Sequence, residues 1–450
     1  MSTFNQRRFL GAAALAAAGT AAAGQGENTG RANELKIRDV RAIITRPLGL
    51  HWIVVKVETN EPGLYGLGCS TFSYQPVAVA SVVNDYLKEF LVGKNPADIE
   101  DIWQSCYASS YWRNGPVMNN ALSGLDQALW DIKGKVAGMP VYDLFGGRAR
   151  DAVPVYVVPS SRSLKATEDS IRELRAQSYY YMKLALPRDV PKECSPAIGT
   201  SKIALHNSKL GVQEHDEGSI YEPRPYFRRV LDLFEHVRST IGREVELVYD
   251  VHERLPPIDG VGFAKDVEQY KPYFIEDLFA PEDNEYFRMV RQQSSTPMAM
   301  GELYNNPHEF IPLIKDRLID FIRVHISQIG GLTPARKLAI LCETFGVRTA
   351  WHGPGDVSPV GHAAHMHLNM NAWNLGVQEA DPLRHMPDLV KEMFPGIPVP
   401  SEGYLRPNGL PGLGIDFDEK LAAKYPVGDF AHHVPKFANV RRADGTIQRP

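Results

Sequence analysis

The sequence has few cysteines and little net charge for its length. Only four cysteines occur among 450 residues, and none of them forms a C-x-x-C pair. This scarcity argues against a disulfide-stapled scaffold and against a cysteine-rich zinc site. The formal net charge is −4, so the chain lacks the basic excess that favours nucleic acid or an anionic membrane. With 44% hydrophobic residues, the composition is typical of a soluble globular protein.

Long apolar runs are also missing, except near the amino terminus. There Arg7-Arg8-Phe9-Leu10 precedes the run GAAALAAAGTAAA, and Ala21–Ala23 offers a small-residue cleavage site. This order predicts a twin-arginine-like export signal, and the run is too short to span a membrane. We therefore expect residues 1–30 to be signal and linker, and the mature protein to be periplasmic and free of the membrane. The alternative is an alanine-rich tail on a cytoplasmic protein.

Residues 31–150 have the pattern of a small α+β domain. Apolar and polar residues alternate over 35–43 and, in part, over 52–57, which predicts strands. Apolar residues at helical spacing then predict helices over 76–92 and 95–137. We expect this domain to cap the one that follows.

From residue 151 to 385, short β-branched runs alternate with helical stretches in about eight units. Strict alternation predicts a parallel sheet, and eight units close into a (β/α)8 TIM barrel. An open doubly wound sheet is the alternative, although no glycine-rich phosphate loop opens any of the helices. A polar insertion over 187–224 is a candidate lid, and the proline-rich segment 386–450 is expected to complete the cap.

Three acids end consecutive predicted strands of this barrel. Asp250, Glu276 and Glu302 are separated by 26 and 26 residues, which is one β/α unit each. Side chains at the carboxyl ends of barrel strands face the active site, so the three carboxylates should converge. Without a cation between them, the ionised carboxylates would repel one another, and a hard cation such as Mg²⁺ relieves that repulsion. The alternative is that each acid caps the following helix. Asp277 is expected to point to the opposite face of its strand, and so to support the ligands from behind or to face a helix.

Two further residues are candidates for proton transfer. His252 lies two positions after Asp250, on the same side of the strand, and an imidazole there suits a general acid. Its alternative role is a hydrogen bond to a loop carbonyl. Lys183 ends the second strand, where a nearby cation would lower its pKa and make it a base. Alternatively, Lys183 is a counter-ion for the acids.

Several other polar residues lie at or near strand ends. His325 is late on the sixth strand, His352 follows the seventh, and Glu379 ends the eighth. All three are candidates for contact with a substrate. Three more histidines fall on one predicted helix at a spacing that does not place them on one face, so we expect packing or surface positions for His362, His365 and His367.

The barrel motifs resemble those of the enolase superfamily, and within it of the mannonate dehydratase-like subgroup. The resemblance rests on Tyr249–Leu255 (YDVHERL), Phe274–Asp277 (FIED), Met300–Glu302 (MGE) and His352–Val360 (HGPGDVSPV), and it extends over nearly the whole chain after residue 34.

The resemblance implies a capping domain on a modified barrel, usually in a homo-oligomer, with one Mg²⁺ held by Asp250, Glu276 and Glu302. It implies abstraction of the proton α to a carboxylate, which gives a metal-stabilised enediolate. In the dehydratases a β-hydroxyl then leaves with help from an acid that corresponds to His252. His352 and Glu379 match positions that contact the substrate.

The sequence also departs from the subgroup. Lys183 stands where the subgroup has an arginine, and it coincides with the second lysine of the K-x-K motif of racemases and lactonising enzymes. His51 replaces a substrate-contacting asparagine of the cap, and Val158 replaces a histidine. The sequence therefore predicts a Mg²⁺-dependent lyase that dehydrates a sugar acid (an aldonate). Two alternatives remain, a racemase or epimerase of an α-hydroxy acid that uses Lys183 and His352, and a catalytically silent, starvation-sensing-like homologue that binds sugar acids.

Overall fold

The computed structural model describes residues 34–187, 219–428, 440–442 and 446–447. The predicted export signal and most of the predicted lid lie outside these residues, so export, localisation and a lid stay predictions. Among the helices described, none has the length and apolar character needed to cross a bilayer.

The amino-terminal unit is an antiparallel sheet covered by helices. Its strands are β1 (Ile37–Thr45), β2 (Trp52–Thr59) and β3 (Tyr65–Cys69), in the order β1-β2-β3. The predicted helix over 95–137 is two helices, because the left-handed residues Tyr111, Asn114 and Gly115 form a turn between them. The helical segments of this unit are Pro76–Ser81, the π-helical Val82–Leu87, Lys88–Leu91, Ile99–Ser109, Pro116–Ala137 and Val141–Leu144.

Glycines bring the sheet of this unit very close to its longest helix. A Cβ atom on Gly68 would lie 2.0 Å from the carbonyl oxygen of Gly124, and one on Gly66 would lie 1.9 Å from that of Ala128. Both neighbours are backbone atoms of the helix Pro116–Ala137, so neither can shift without disturbing the packing of the helix. The absence of side chains at these positions therefore sets the distance between sheet and helix.

We expect Gly68→Ala to lower the free energy of unfolding by about 3 kcal/mol or more, because the new methyl group overlaps helix backbone. Urea denaturation measures this loss. Gly262→Ala is the matched control, since a Cβ there meets no heavy atom within 4 Å. In the helix Pro257–Val267, that change should stabilise the protein by about 0.5–1 kcal/mol. Equal effects of the two substitutions would contradict this account.

The second unit is built on parallel strands. In chain order the strands are β4 (Val153–Val157), β5 (Tyr181–Leu184), the short β6 (Ser219–Ile220) outside the barrel, β7 (Glu246–Asp250), β8 (Phe274–Glu276), β9 (Met298–Met300), β10 (Phe321–Ile322), β11 (Arg348–Thr349) and β12 (Gln378–Glu379). Their order in the sheet is β11-β10-β9-β8-β7-β5-β4-β12. A bridge between Thr349 and Leu375 joins β11 to the segment before β12. The strands therefore curl into a barrel.

Within the part of the chain that the structure describes, seven long helices cover the outside of this barrel. They are Leu164–Ala176, Pro223–Thr240, Pro257–Val267, Tyr286–Gln293, Pro307–Lys315, Leu332–Phe345 and Pro359–Asn371. One-turn 3-10 segments occur at Glu268–Tyr270, Pro281–Asp283 and Ser327–Ile329. The eighth unit differs, because the helix after β12 is only Asp381–Arg384. The predicted fold class, a modified barrel with an α+β cap, is confirmed.

The carboxyl-terminal segment packs on both units. Its strand β13 (Tyr404–Leu405) pairs with β4 of the barrel, while Glu419 bonds Lys56 of the cap at 2.6 Å. The remaining elements are the helices Asp388–Met393 and Glu419–Ala422 and the strand β14 (Val440–Arg441), which pairs with β6. These contacts join cap and barrel, while the domain boundaries drawn from the sequence stay predictions.

Candidate active site

The three acids predicted from their spacing lie at one end of the barrel. Asp250 ends β7 and Glu276 ends β8, and the two residues are directly paired in the sheet. Glu302 lies two residues beyond the end of β9. Gly301, which lies between the end of β9 and Glu302, has φ +144, and a Cβ there would lie 2.8 Å from the backbone nitrogen of Val324. The turn that presents Glu302 therefore requires glycine.

The side-chain atoms that could bind a metal form two overlapping groups that share Asp250. In one group, ligand atoms of Asp250, Glu276 and Asp277 lie within 4.8 Å of one another. In the other, ligand atoms of Asp250, His252 and Glu302 lie equally close. Asp250 Oδ1 is buried and accepts no hydrogen bond from the described residues. Such an oxygen is a suitable donor for a hard cation.

Asp277 joins this cluster, so the expectation that it points away is wrong. The strand β8 ends at Glu276, and Asp277 has φ +41. Strand alternation therefore no longer applies at Asp277. Its Oδ1 accepts a hydrogen bond from the amide of Gly301 at 2.8 Å. Asp277 thus also fixes the glycine turn that carries Glu302.

Lys183 lies among the acids. Its Nζ is 3.0 Å from Asp250 Oδ2, 3.3 Å from Glu276 Oε2 and 3.8 Å from Glu379 Oε1. Burial alone would lower the pKa of Lys183, but Asp250 and Glu276 overcome it and hold that pKa well above the usual value. In this arrangement Lys183 carries a positive charge beside the acids, and its assignment as a base or as a counter-ion stays a prediction.

Arg323 is a site residue that the sequence analysis missed. Its side chain is fully buried, and Nη2 lies 2.5 Å from Glu276 Oε1 and 2.9 Å from Glu379 Oε2. Nη1 donates to the carbonyl of Ala350 at 3.1 Å. Glu379 also accepts from the amide of Gly353 at 2.8 Å. Burial opposes ionisation of Glu379, but Lys183 and Arg323 hold its pKa well below the usual range.

Glu302 binds two histidines at once. Its Oε1 is 3.0 Å from His252 Nε2, and its Oε2 is 3.0 Å from His352 Nε2. Burial alone would lower the pKa of His252, but Glu302 overcomes it and raises that pKa to about 10. The pKa of His352 is raised for the same reason. Both imidazoles can therefore carry a proton at neutral pH.

His252 reaches this position by a different route from the one predicted. The strand β7 ends at Asp250, and both His252 and Glu253 have left-handed backbone angles, with φ +55 and +51. The chain therefore turns at the rim of the barrel and does not continue as a strand. The turn places a His252 nitrogen within 4.8 Å of ligand oxygens of Asp250 and Glu302.

The other histidines extend inward from this site. His325 packs against His352, with ring centroids 5.6 Å apart, and its Nδ1 accepts the amide of Ser327 at 3.1 Å. Burial, helped by His352, lowers the pKa of His325 to about 3, so it is neutral. Three further imidazoles are buried in the helix that follows β11, in agreement with the packing role expected for His362, His365 and His367.

His51 lies at the edge of the cap, just before β2. It is buried, and its backbone carbonyl accepts the hydroxyl of Ser73 at 3.1 Å. The indole of the adjacent Trp52 donates to the carbonyl of Gly355 at 3.1 Å. Gly355 lies three residues after His352, so this edge of the cap contacts the loop beside the acid cluster. The proposed role of His51 in substrate binding stays a prediction.

Taken together, these side chains provide two chemical functions side by side. Asp250 lies close enough to Glu276 and Asp277, and also to His252 and Glu302, for either group of side chains to hold a divalent cation. Lys183, His252 and His352 can accept or donate protons next to it. A small acid bound between these groups would meet both an electrophile and proton-transfer residues, as proton abstraction next to a carboxylate requires.

Comparison with known families gives matches over both units. Residues 38–146 match the family described as mandelate racemase / muconate lactonizing enzyme, N-terminal domain. Residues 204–421 match the family described as enolase C-terminal domain-like. The enolase superfamily predicted from the motifs is therefore confirmed, and the mannonate dehydratase-like subgroup stays a prediction.

Similar proteins match over nearly their full length. A D-galactonate dehydratase family member from Salmonella enteritidis PT4 is 48% identical, over 93% of this chain and 100% of the relative. A family member from Musicola paradisiaca has the same identity and the same coverage. A crystal structure of an enolase from Pantoea ananatis, with bound D-gluconate and Mg, is 47% identical, with a TM-score of 0.84 over 92% of this chain and 100% of that one. The chain therefore belongs to the D-galactonate dehydratase family of the enolase superfamily.

Proposed function

We propose that the protein is a Mg²⁺-dependent lyase that dehydrates an aldonic acid to a 2-keto-3-deoxy acid. The observation that carries the proposal is the acid cluster around Asp250, with Lys183 and His252 in contact with it. The dehydratase family to which the relatives belong, and the D-gluconate and Mg bound by the Pantoea ananatis protein, support the same class of reaction.

Asp250, Glu276 and Glu302 would hold the metal. The fit rests on their chemistry, since all three offer carboxylate oxygens, and on the buried Asp250 Oδ1 that accepts no hydrogen bond from the described residues. Bound Mg²⁺ would supply positive charge that lowers the pKa of the proton α to a substrate carboxylate.

We assign proton removal to Lys183 and proton delivery to His252. Among the described residues, Lys183 Nζ lies 3.0 Å from Asp250 Oδ2, and its side chain keeps 16% of its surface exposed. His252 is held by Glu302 at 3.0 Å, and without a bound metal this carboxylate raises the pKa of His252, against the opposing effect of burial. Without a bound metal Lys183 carries a proton, and its pKa would fall beside a bound divalent cation. As the neutral amine it would then accept the α-proton, while a proton from His252 goes to the β-hydroxyl, which leaves as water. The remaining enol then tautomerises to the keto acid.

The other polar residues would orient the substrate. Arg323 and Glu379 are locked to each other at 2.9 Å, and Glu379 is also held by the amide of Gly353. His352 is fixed by Glu302 at 3.0 Å. Fixed hydrogen-bonding groups of this kind place the hydroxyls of a sugar acid relative to the base and the acid.

The proposal is tested with a panel of aldonic acids. Purified protein and Mg²⁺ are incubated with each acid in D₂O, and both 2-keto-3-deoxy product and deuterium at the α-carbon are measured. Product that depends on Mg²⁺ is the expected result. If no acid of a full panel gives product, whether or not it binds, the dehydratase proposal is wrong.

A racemase or epimerase is the second candidate. The observation in its favour is that Lys183 on β5 and His352 after β11 flank the site, with β4 and β12 between them. Two proton-transfer groups on either side of an α-carbon could invert it. This reading expects deuterium exchange at the α-carbon without loss of water. Ligand-induced stabilisation with neither exchange nor product would instead favour the silent binding protein.

We expect His252→Gln to lower dehydration by about 100-fold or more, because the leaving hydroxyl loses its proton donor. Removal of the α-proton by Lys183 should continue, so deuterium uptake into unreacted substrate should persist in the variant. Product formation and deuterium content are read from the same sample. His236→Gln is the matched control, since His236 lies on the outer helix Pro223–Thr240. If the variant loses both deuterium exchange and product formation, His252 has a role beyond that of the acid.

A further inference from the structure

Lys183 and Arg323 both enter the acid cluster, but they are held differently. Arg323 is fully buried and is anchored by two carboxylates and by the carbonyl of Ala350. Every hydrogen bond or ion pair of Lys183 among the described residues goes to a carboxylate, namely Asp250, Glu276 or Glu379. Its side chain also retains 16% exposure. Lys183 is therefore the less enclosed cation of the pair, and its polar contacts among the described residues are all to carboxylates.

The nitrogen of Lys183 also occupies a particular place. It lies 3.0 Å from Asp250 and 3.3 Å from Glu276, which are two of the three residues proposed to hold the metal. A divalent ion bound by these carboxylates would lie close to the ammonium group and repel it. Glu379, already 3.8 Å from Nζ, offers a second carboxylate toward which Lys183 can shift.

We infer that Lys183 is a tethered cation that fills the acid cluster when metal is absent and is displaced from Asp250 and Glu276 when a divalent cation binds. Lys183 therefore opposes metal binding and weakens the affinity for Mg²⁺. This inference rests on the proposed function, because it assumes the same three metal ligands. It adds that one side chain, Lys183, raises the stability of the metal-free protein and lowers its affinity for Mg²⁺.

The electrostatic balance supports this exchange. Without metal, at least five carboxyl groups, those of Asp250, Glu276, Asp277, Glu302 and Glu379, share a small region with Lys183, Arg323 and two histidines. Removing the Lys183 charge leaves Asp250 and Glu276 less well neutralised, which destabilises the metal-free protein. The same removal abolishes a repulsion that the bound ion would otherwise face. Both effects favour the metal-bound form of a Lys183 variant.

The test is a Mg²⁺ titration by calorimetry, with melting temperatures measured at each concentration. We expect Lys183→Met to bind Mg²⁺ about tenfold more tightly than wild type, or better. We also expect a lower melting temperature without metal and a larger rise on adding Mg²⁺. Lys183→Gln, which keeps a polar end, should show the same direction. Lys315→Met is the control, since Lys315 is 64% exposed and paired with Asp316, and its affinity should equal that of wild type.

The outcomes separate the two proposals. If wild type binds no Mg²⁺, or if its binding survives in Asp250→Asn, the metal site of the proposed function is wrong. If wild type binds Mg²⁺ and both Lys183 variants bind it equally or more weakly, the displacement of Lys183 is wrong while the metal site stands. If Lys183→Met folds only in the presence of Mg²⁺, the inference is supported, and Lys183→Gln then supplies the affinity.

Discussion

Asp250→Asn is expected to lower kcat for aldonate dehydration by at least about 10⁴-fold, because it weakens charge stabilisation worth several kcal/mol. Asp250 is the residue shared by both groups of closely spaced ligand atoms. An amide keeps the shape of the side chain but removes its negative charge, and it puts a hydrogen-bond donor on one side of the cluster. Affinity for Mg²⁺ should therefore fall together with kcat.

The measurement pairs product formation with Mg²⁺ titration, so that a loss of metal can be told apart from a loss of chemistry. Asp388→Asn is the matched control, because its carboxylate is 91% exposed, and both properties should remain at the wild-type level. A variant that loses Mg²⁺ but keeps normal turnover would contradict the role given to the metal. Normal Mg²⁺ affinity in Asp250→Asn would contradict the ligand assignment.

The acid cluster could be predicted from the sequence because the barrel repeats. One β/α unit returns the chain to the same end of the sheet, so the equal spacing of Asp250, Glu276 and Glu302 carries spatial information. The direct pairing of Asp250 with Glu276 follows from that register. Glu302 needed one more feature, the left-handed turn at Gly301, which the sequence analysis did not use.

Arg323 escaped prediction for a different reason. It lies within Phe321–Ile326, an apolar run that indicates a buried strand, and a single charge in such a run carries no spacing signal. A signal did exist, since Arg323 precedes His325 by two positions and therefore shares its side of the strand. A buried arginine must have carboxylate partners, and Glu276 and Glu379 end the strands β8 and β12 at the same end of the barrel.

Local backbone turns account for the other differences. His252, Glu253 and Asp277 all have positive φ, and non-glycine residues adopt such angles too rarely for a sequence pattern to predict them. The position of Asp277 could not be inferred from alternation once its strand had ended.

We expect Arg323→Met to lower the free energy of unfolding by about 3–5 kcal/mol, because it leaves buried carboxylates without their partner. Glu276 and Glu379 would each lose an ion pair, of 2.5 Å and 2.9 Å. Urea denaturation without metal measures the loss. Turnover should fall as well, since Glu379 loses one of the groups that hold it in place.

Two further variants show whether the cost comes from unpaired charge. Glu379→Gln in the Arg323→Met background removes one of the stranded charges, so the double variant should recover part of the lost stability. Mg²⁺ should also stabilise Arg323→Met more than it stabilises wild type, because a bound cation would neutralise Glu276 in place of the guanidinium. Additive losses in the double variant, with no extra stabilisation by Mg²⁺, would show that Arg323 contributes through packing and not through charge.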